Sequence, residues 1–142
     1  MTFRTAQLWI LLIFIASLLL QLFLVAVDYG RNAIYSDDLR NLVVRFLAIY
    51  SVPLGVVISG IFAKSAPTEQ LAPKRAFWVA VSLAAVWNLL IVGRTLLFTF
   101  SSTDAVSALV EYVDAVVATS SFLTVAALTY FFTTAPEGNR HE

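Results

Sequence analysis

Residues 8–27 read Leu8-Trp9-Ile10-Leu11-Leu12-Ile13-Phe14-Ile15-Ala16-Ser17-Leu18-Leu19-Leu20-Gln21-Leu22-Phe23-Leu24-Val25-Ala26-Val27, with only Ser17 and Gln21 interrupting an apolar run. A helix rises about 1.5 Å per residue and a bilayer's hydrocarbon core is about 30 Å thick, so about 20 such residues make one crossing. Three more runs of this kind follow, over residues 42–62, 77–98 and 106–132. The first run follows Arg4 and has the look of a signal peptide. Its length exceeds a signal peptide's usual apolar region of about 7–15 residues, and no A-x-A site precedes Asp28, so an uncleaved span is expected. The reading is an all-α membrane protein: a four-transmembrane-helix antiparallel bundle of two hairpins, in one domain over residues 1–142 with a polar tail over 135–142.

The composition of the whole chain agrees. Of 142 residues, 60% are hydrophobic and 13% charged, with a mean hydropathy of +0.86. Soluble domains carry about 25% charged residues, so this chain has too little polar surface to coat a globule in water. The formal net charge is zero and no Lys/Arg-rich run occurs, which removes the electrostatic footprint of a nucleic-acid binder. With Cys 0, His 1 and Met 1, the last two being His141 and Met1, the spans offer no thiolate, imidazole or thioether. Neither a metal nor any other cofactor is therefore expected. No G-x-S-x-G, H-E-x-x-H, Walker or Rossmann pattern is present. The serines in the spans lack a histidine base, so the chain is not expected to be an enzyme.

Basic residues orient the chain. Arg4, Lys64, Lys74, Arg75 and Arg140 fall on one side of the expected membrane, and only Arg31 and Arg40 on the other, with Asp28, Asp37, Asp38 and Asp104. The positive-inside bias then places both termini in the cytoplasm. A multi-pass protein of a bacterial inner membrane or another plasma membrane is expected. Tyr29-Gly30-Arg31-Asn32 breaks the first helix, Ser36 is an expected N-cap with Asp37 and Asp38 in the first turn, and Ser101–Asp104 is expected to cap the fourth helix. Lys64–Lys74, with Pro67 and Pro73, is the connection between hairpins.

Ionisable residues inside spans carry the most information, since each costs at least about 2.5–3.5 kcal/mol at the bilayer centre. Asp28, Arg45, Arg94, Glu111 and Asp114 form such a layer. Counting outward from the turns sets Arg94 level with Glu111 and Asp28 level with Arg45, which predicts one ion pair within each hairpin. A shift of 66 residues carries Asp28 onto Arg94, Arg45 onto Glu111 and Ser36 onto Ser102, compatible with a duplicated hairpin. Steps of three and four make stripes on every helix: Ser17, Gln21, Leu24 and Asp28; Asn41, Arg45, Ala48, Val52, Gly55 and Ser59; Ala80, Ala84, Trp87, Ile91 and Arg94; and Asp104, Ser107, Glu111, Asp114, Ala118 and Ser121. Such small and polar stripes suit helix–helix contacts, so all four are expected to face inward. Gln21, Asn88 and Tyr112 are secondary polar positions, and Pro53 is a candidate helix kink.

Two functional expectations follow. The first is a non-catalytic polytopic membrane protein, an assembly or accessory subunit of a membrane complex, with a buried charged layer pairing its helices. The second is a small oligomeric ion channel or proton-coupled transporter using that layer as its site. The expected partners are the lipid bilayer and either another copy of the chain or a different membrane protein.

Overall fold

A computed structural model of the protein describes residues 2–63, 74–101 and 105–134. It contains four helices, α1 (Phe3–Gly30), α2 (Ser36–Ala63), α3 (Lys74–Phe100) and α4 (Val106–Thr133). Each is long and apolar enough to cross a membrane. All begin or end beyond the apolar runs because polar residues at the ends keep helical hydrogen bonding where water or headgroups are available. The Lys64–Pro73 connection, Ser102–Asp104 and the 135–142 tail lie outside the described residues.

The ends of the helices show how local chemistry sets their boundaries. Thr2 caps α1, its hydroxyl oxygen accepting from the Thr5 N–H at 3.3 Å. At the other end α1 runs through Gly30, and the reversal falls on Asn32, whose φ of 59° is left-handed. Asn visits that region more readily than most residues, so Gly30 is not needed for the break. Ser36, the expected N-cap of α2, is already helical. Tyr35 stands before it, and its backbone N–H donates to Asp38 Oδ2 at 3.4 Å, a side-chain return that satisfies a donor at the helix entrance. Ala105 precedes α4 and supplies no side-chain cap, because the helix starts after the hydroxyl and carboxylate residues expected to do so.

The helices pack in a square: α1 touches α2 and α3, and α4 touches α3 and α2. Gln7 Nε2 donates to the Gly60 carbonyl at 3.4 Å, and the Phe131 ring stacks on Phe3 and also meets Phe77, with centroids 5.1 and 6.0 Å away. These contacts gather one end of all four helices around Phe3. Long side chains bridge both diagonals. Phe3 reaches Phe131 across α1 and α4, while Tyr50 meets Trp87, 5.1 Å between ring centroids, across α2 and α3. Gly60 lets α2 approach α4, for a Cβ there would stand 2.5 Å from Phe132 Cγ. Helix α2 continues through Pro53 as one element; the missing N–H leaves the Ile49 carbonyl without its usual helical donor.

Candidate functional site

The stripes divide into two kinds. On α1, Gln21, Leu24 and Asp28 are buried, and on α3, Ala80, Ala84, Trp87 and Ile91 are buried. On α2, by contrast, Asn41, Ala48, Val52, Gly55 and Ser59 are exposed, and so are Ser107, Glu111, Asp114 and Ala118 on α4. The inward expectation fails for these two helices. Their small, polar residues flank an outward groove between α2 and α4. One cleft of about 280 Å³ is lined by Ala48, Val52, Pro53, Trp87 and Ser121 among others. A second, of about 600 Å³, continues from Val52 past Gly55 and Ser59 to Thr129 and Phe132.

The charged residues follow this division. Arg45 pairs with Asp114, across α2 and α4, and not with Asp28; the two side chains remain 31% and 51% exposed. Arg45 lies nine residues into α2 and Asp114 eight into α4. That depth is about 12–14 Å along helices about 42 Å long, so a bundle centred on a core about 30 Å thick would hold the pair about 6–8 Å inside it. The Arg45–Asp114 pair is thus open at the groove, not sealed within the bundle. Glu111 is exposed one turn further out, and Arg94 sits with its guanidinium carbon 5.9 Å from the centroid of the Tyr112 ring, a cation–π distance.

Asp28 belongs to a different contact. It is 1% exposed and its Oδ2 accepts from the Thr99 hydroxyl at 3.0 Å, while Arg31 donates to the Thr99 carbonyl at 3.4 Å. Together they clamp α1 to α3. Neither Thr99 nor Arg31 stands out in the sequence as a partner for Asp28, because a threonine hydroxyl is ordinarily satisfied by its own helix, and Thr99 also donates to Thr95 O at 3.0 Å.

A second polar group lies inside the square. The buried Tyr50 hydroxyl donates to Asn88 Oδ1 at 2.9 Å, and Asn88 Nδ2 donates back to the Ala84 carbonyl at 2.8 Å. Gln21 flanks the Tyr50 hydroxyl, but neither end of its amide makes a hydrogen bond of good geometry among the described residues. Tyr50 was the readable clue to this cluster: a tyrosine far from either end of a span needs a partner for its hydroxyl. The difference between the amides has a measurable consequence. Asn88→Leu strands the Tyr50 hydroxyl and should cost about 1 kcal/mol, within the range of interhelical hydrogen bonds in membranes. Gln21→Leu removes an unsatisfied amide and should leave stability unchanged or higher. Thermal unfolding in detergent compares the two, and equal losses would show that Gln21 is bonded after all.

Among the described residues no group of three or more His, Cys, Asp or Glu comes together that could hold a metal. The α2/α4 flank presents charge, small side chains and an open groove together. No protein-family model, curated protein or solved structure matches the chain. The α1 and α3 surfaces contrast with the groove, for they present Leu12, Leu19, Phe23, Val86, Leu89 and Leu97 outward, large apolar groups suited to lipid tails.

Proposed function

We propose that this chain is a non-catalytic assembly or accessory subunit of a membrane complex, which engages a membrane-embedded partner through the groove between α2 and α4. The observation that carries this reading is the part-exposed Arg45–Asp114 pair at the groove, on the flank where small residues replace large aliphatic ones; in this reading its depth along the helices puts it inside a hydrocarbon core about 30 Å thick. Lipid tails offer such a pair no hydrogen bonds, whereas a protein surface does. Small residues also permit the close backbone approach on which helix association in lipid depends. In this reading the helices form two antiparallel hairpins with both termini cytoplasmic, and a bacterial inner membrane suits the distribution of basic residues.

Photo-crosslinking in native membranes tests it. A photoreactive side chain at Ser59 or Thr129, both lining the groove, should yield discrete protein adducts, whereas one at Leu19 or Val86, on the opposite flank, should label lipid. Equal protein labelling from both flanks, or none from the groove, would remove the basis for a partner surface.

A further inference from the structure

The groove's charge pattern singles out a kind of partner. Arg45 and Asp114 carry opposite charges at one depth, on neighbouring helices at the two sides of the same groove. A second copy inserted in the same direction is related to the first by an axis along the membrane normal, and rotation about that axis leaves every residue's depth unchanged. Facing α2/α4 flanks then bring each Arg45 to the level of the other copy's Asp114, in an isologous contact that closes on itself. Any unrelated partner has to match both the depth and the sign of these charges, a match that a second copy possesses from the start.

We propose that two copies of this chain pair through their α2/α4 grooves, with the two Arg45–Asp114 pairs forming an alternating ring of four charges at the contact. This rests on the function proposed above and names the partner. Glu111, exposed one turn from Asp114, adds an acceptor at the rim for the other copy's Arg45. Gly55 supplies the room: nothing lies within 4 Å of where its Cβ would be, and its surroundings belong to the groove. Trp87, 2% exposed, lines the adjoining cleft, and its indole N–H has no hydrogen-bond partner among the described residues. A polar side chain carried into the cleft by the second copy gives that donor an acceptor.

The chain has no cysteine, so a single introduced one reports only on itself. Purified full-length Ser59→Cys and Thr129→Cys variants, whose positions line one cleft on α2 and α4, should form mixed two-copy disulfides under mild oxidation when reconstituted together in phosphatidylcholine–phosphatidylglycerol vesicles. Leu19→Cys and Val86→Cys should not. Energy transfer between labelled copies, followed as lipid is added, should show Asp114→Asn needing a roughly tenfold higher protein-to-lipid ratio for half-pairing, as expected for loss of one or two interhelical polar contacts. All cysteines sit on exposed positions, and circular dichroism should show Asp114→Asn keeping the parent's helix content, so that a change in pairing is not a change in folding. If the groove cysteines stay monomeric at every ratio, self-pairing is wrong. If the same groove positions still photo-crosslink to a different protein in native membranes, the function proposed above stands and only the identity of the partner falls. If neither occurs, both fall.

Discussion

Trp87→Ala is expected to be the most damaging single truncation in the bundle, lowering stability by roughly 2–3 kcal/mol. The indole is 2% exposed and its ring packs against Phe14 and Tyr50, with centroids 5.9 and 5.1 Å apart. In water-soluble cores, Trp→Ala costs about 3–5 kcal/mol, part of it the transfer of the side chain out of water and part the cavity left behind. In a bilayer the transfer part is small, because lipid tails are about as apolar as the core itself, and the packing part remains. Trp87 also spans the α2–α3 diagonal, so its loss removes a contact between two helices that are not neighbours in the square. Reversible unfolding in mixed micelles measures the loss, and a cost below about 1 kcal/mol would mean that neighbouring rings fill the space.

The second large effect separates two glycines on one helix. Gly60→Leu should destabilise the fold by about 1–3 kcal/mol, the usual cost of overpacking, because even a Cβ overlaps the Phe132 ring. That ring is itself held against Phe3 and Phe131, at 6.5 and 5.2 Å between centroids, and so has little freedom to turn away. Gly55→Leu should leave the unfolding transition of the isolated chain nearly unchanged, since nothing lies within 4 Å of the added carbon. Its effect should appear in association, where a leucine fills the space into which a partner backbone must come. Measuring unfolding and pairing on both variants gives a crossed result: Gly60 acts on the first, Gly55 on the second. A loss of unfolding stability for Gly55→Leu equal to that for Gly60→Leu would contradict the assignment of Gly55 to an outward groove.

How far the sequence alone reveals this structure depends on which physical quantity is asked of it. Span length and apolarity are local, and the four helices are legible in the runs that begin at Leu8, Leu42, Phe77 and Val106. Depth is also legible, because rise per residue is fixed, and Arg45 and Asp114 do lie at one level. What equal depth does not specify is which neighbour an ionic group meets. Asp28 and Asp114 are both candidates for Arg45 by level, and the choice depends on how each helix is rotated about its axis. The same ambiguity affects the stripes. A row of small and polar residues suits contact with protein better than with lipid, but the row on α3 contacts its own bundle, while those on α2 and α4 flank an open groove. In water, polarity itself points outward and resolves the question; in a membrane, the bundle interior and an external protein contact have the same chemistry. The Thr99–Asp28 clamp was hidden for another reason, since a helical threonine gives no sign that its hydroxyl also serves a distant carboxylate.

Four rods stacked in a square form a weak frame: sliding opposite sides shears the square into a rhombus while every rod keeps its two neighbours. Cross-members remove that freedom, and this bundle has one along each diagonal, at different levels. Tyr50 ties α2 to Trp87 and Asn88 midway along, and Phe3 ties α1 to Phe131 near one end. Because shear shortens one diagonal as it lengthens the other, members at two levels resist it in either direction and also oppose twisting of the frame. The spacing between α2 and α4 is then a property of the braced frame as a whole. Under the proposed pairing, a second copy would meet a slot whose width is already set, the entropy of shaping it having been spent during folding and not at the moment of contact.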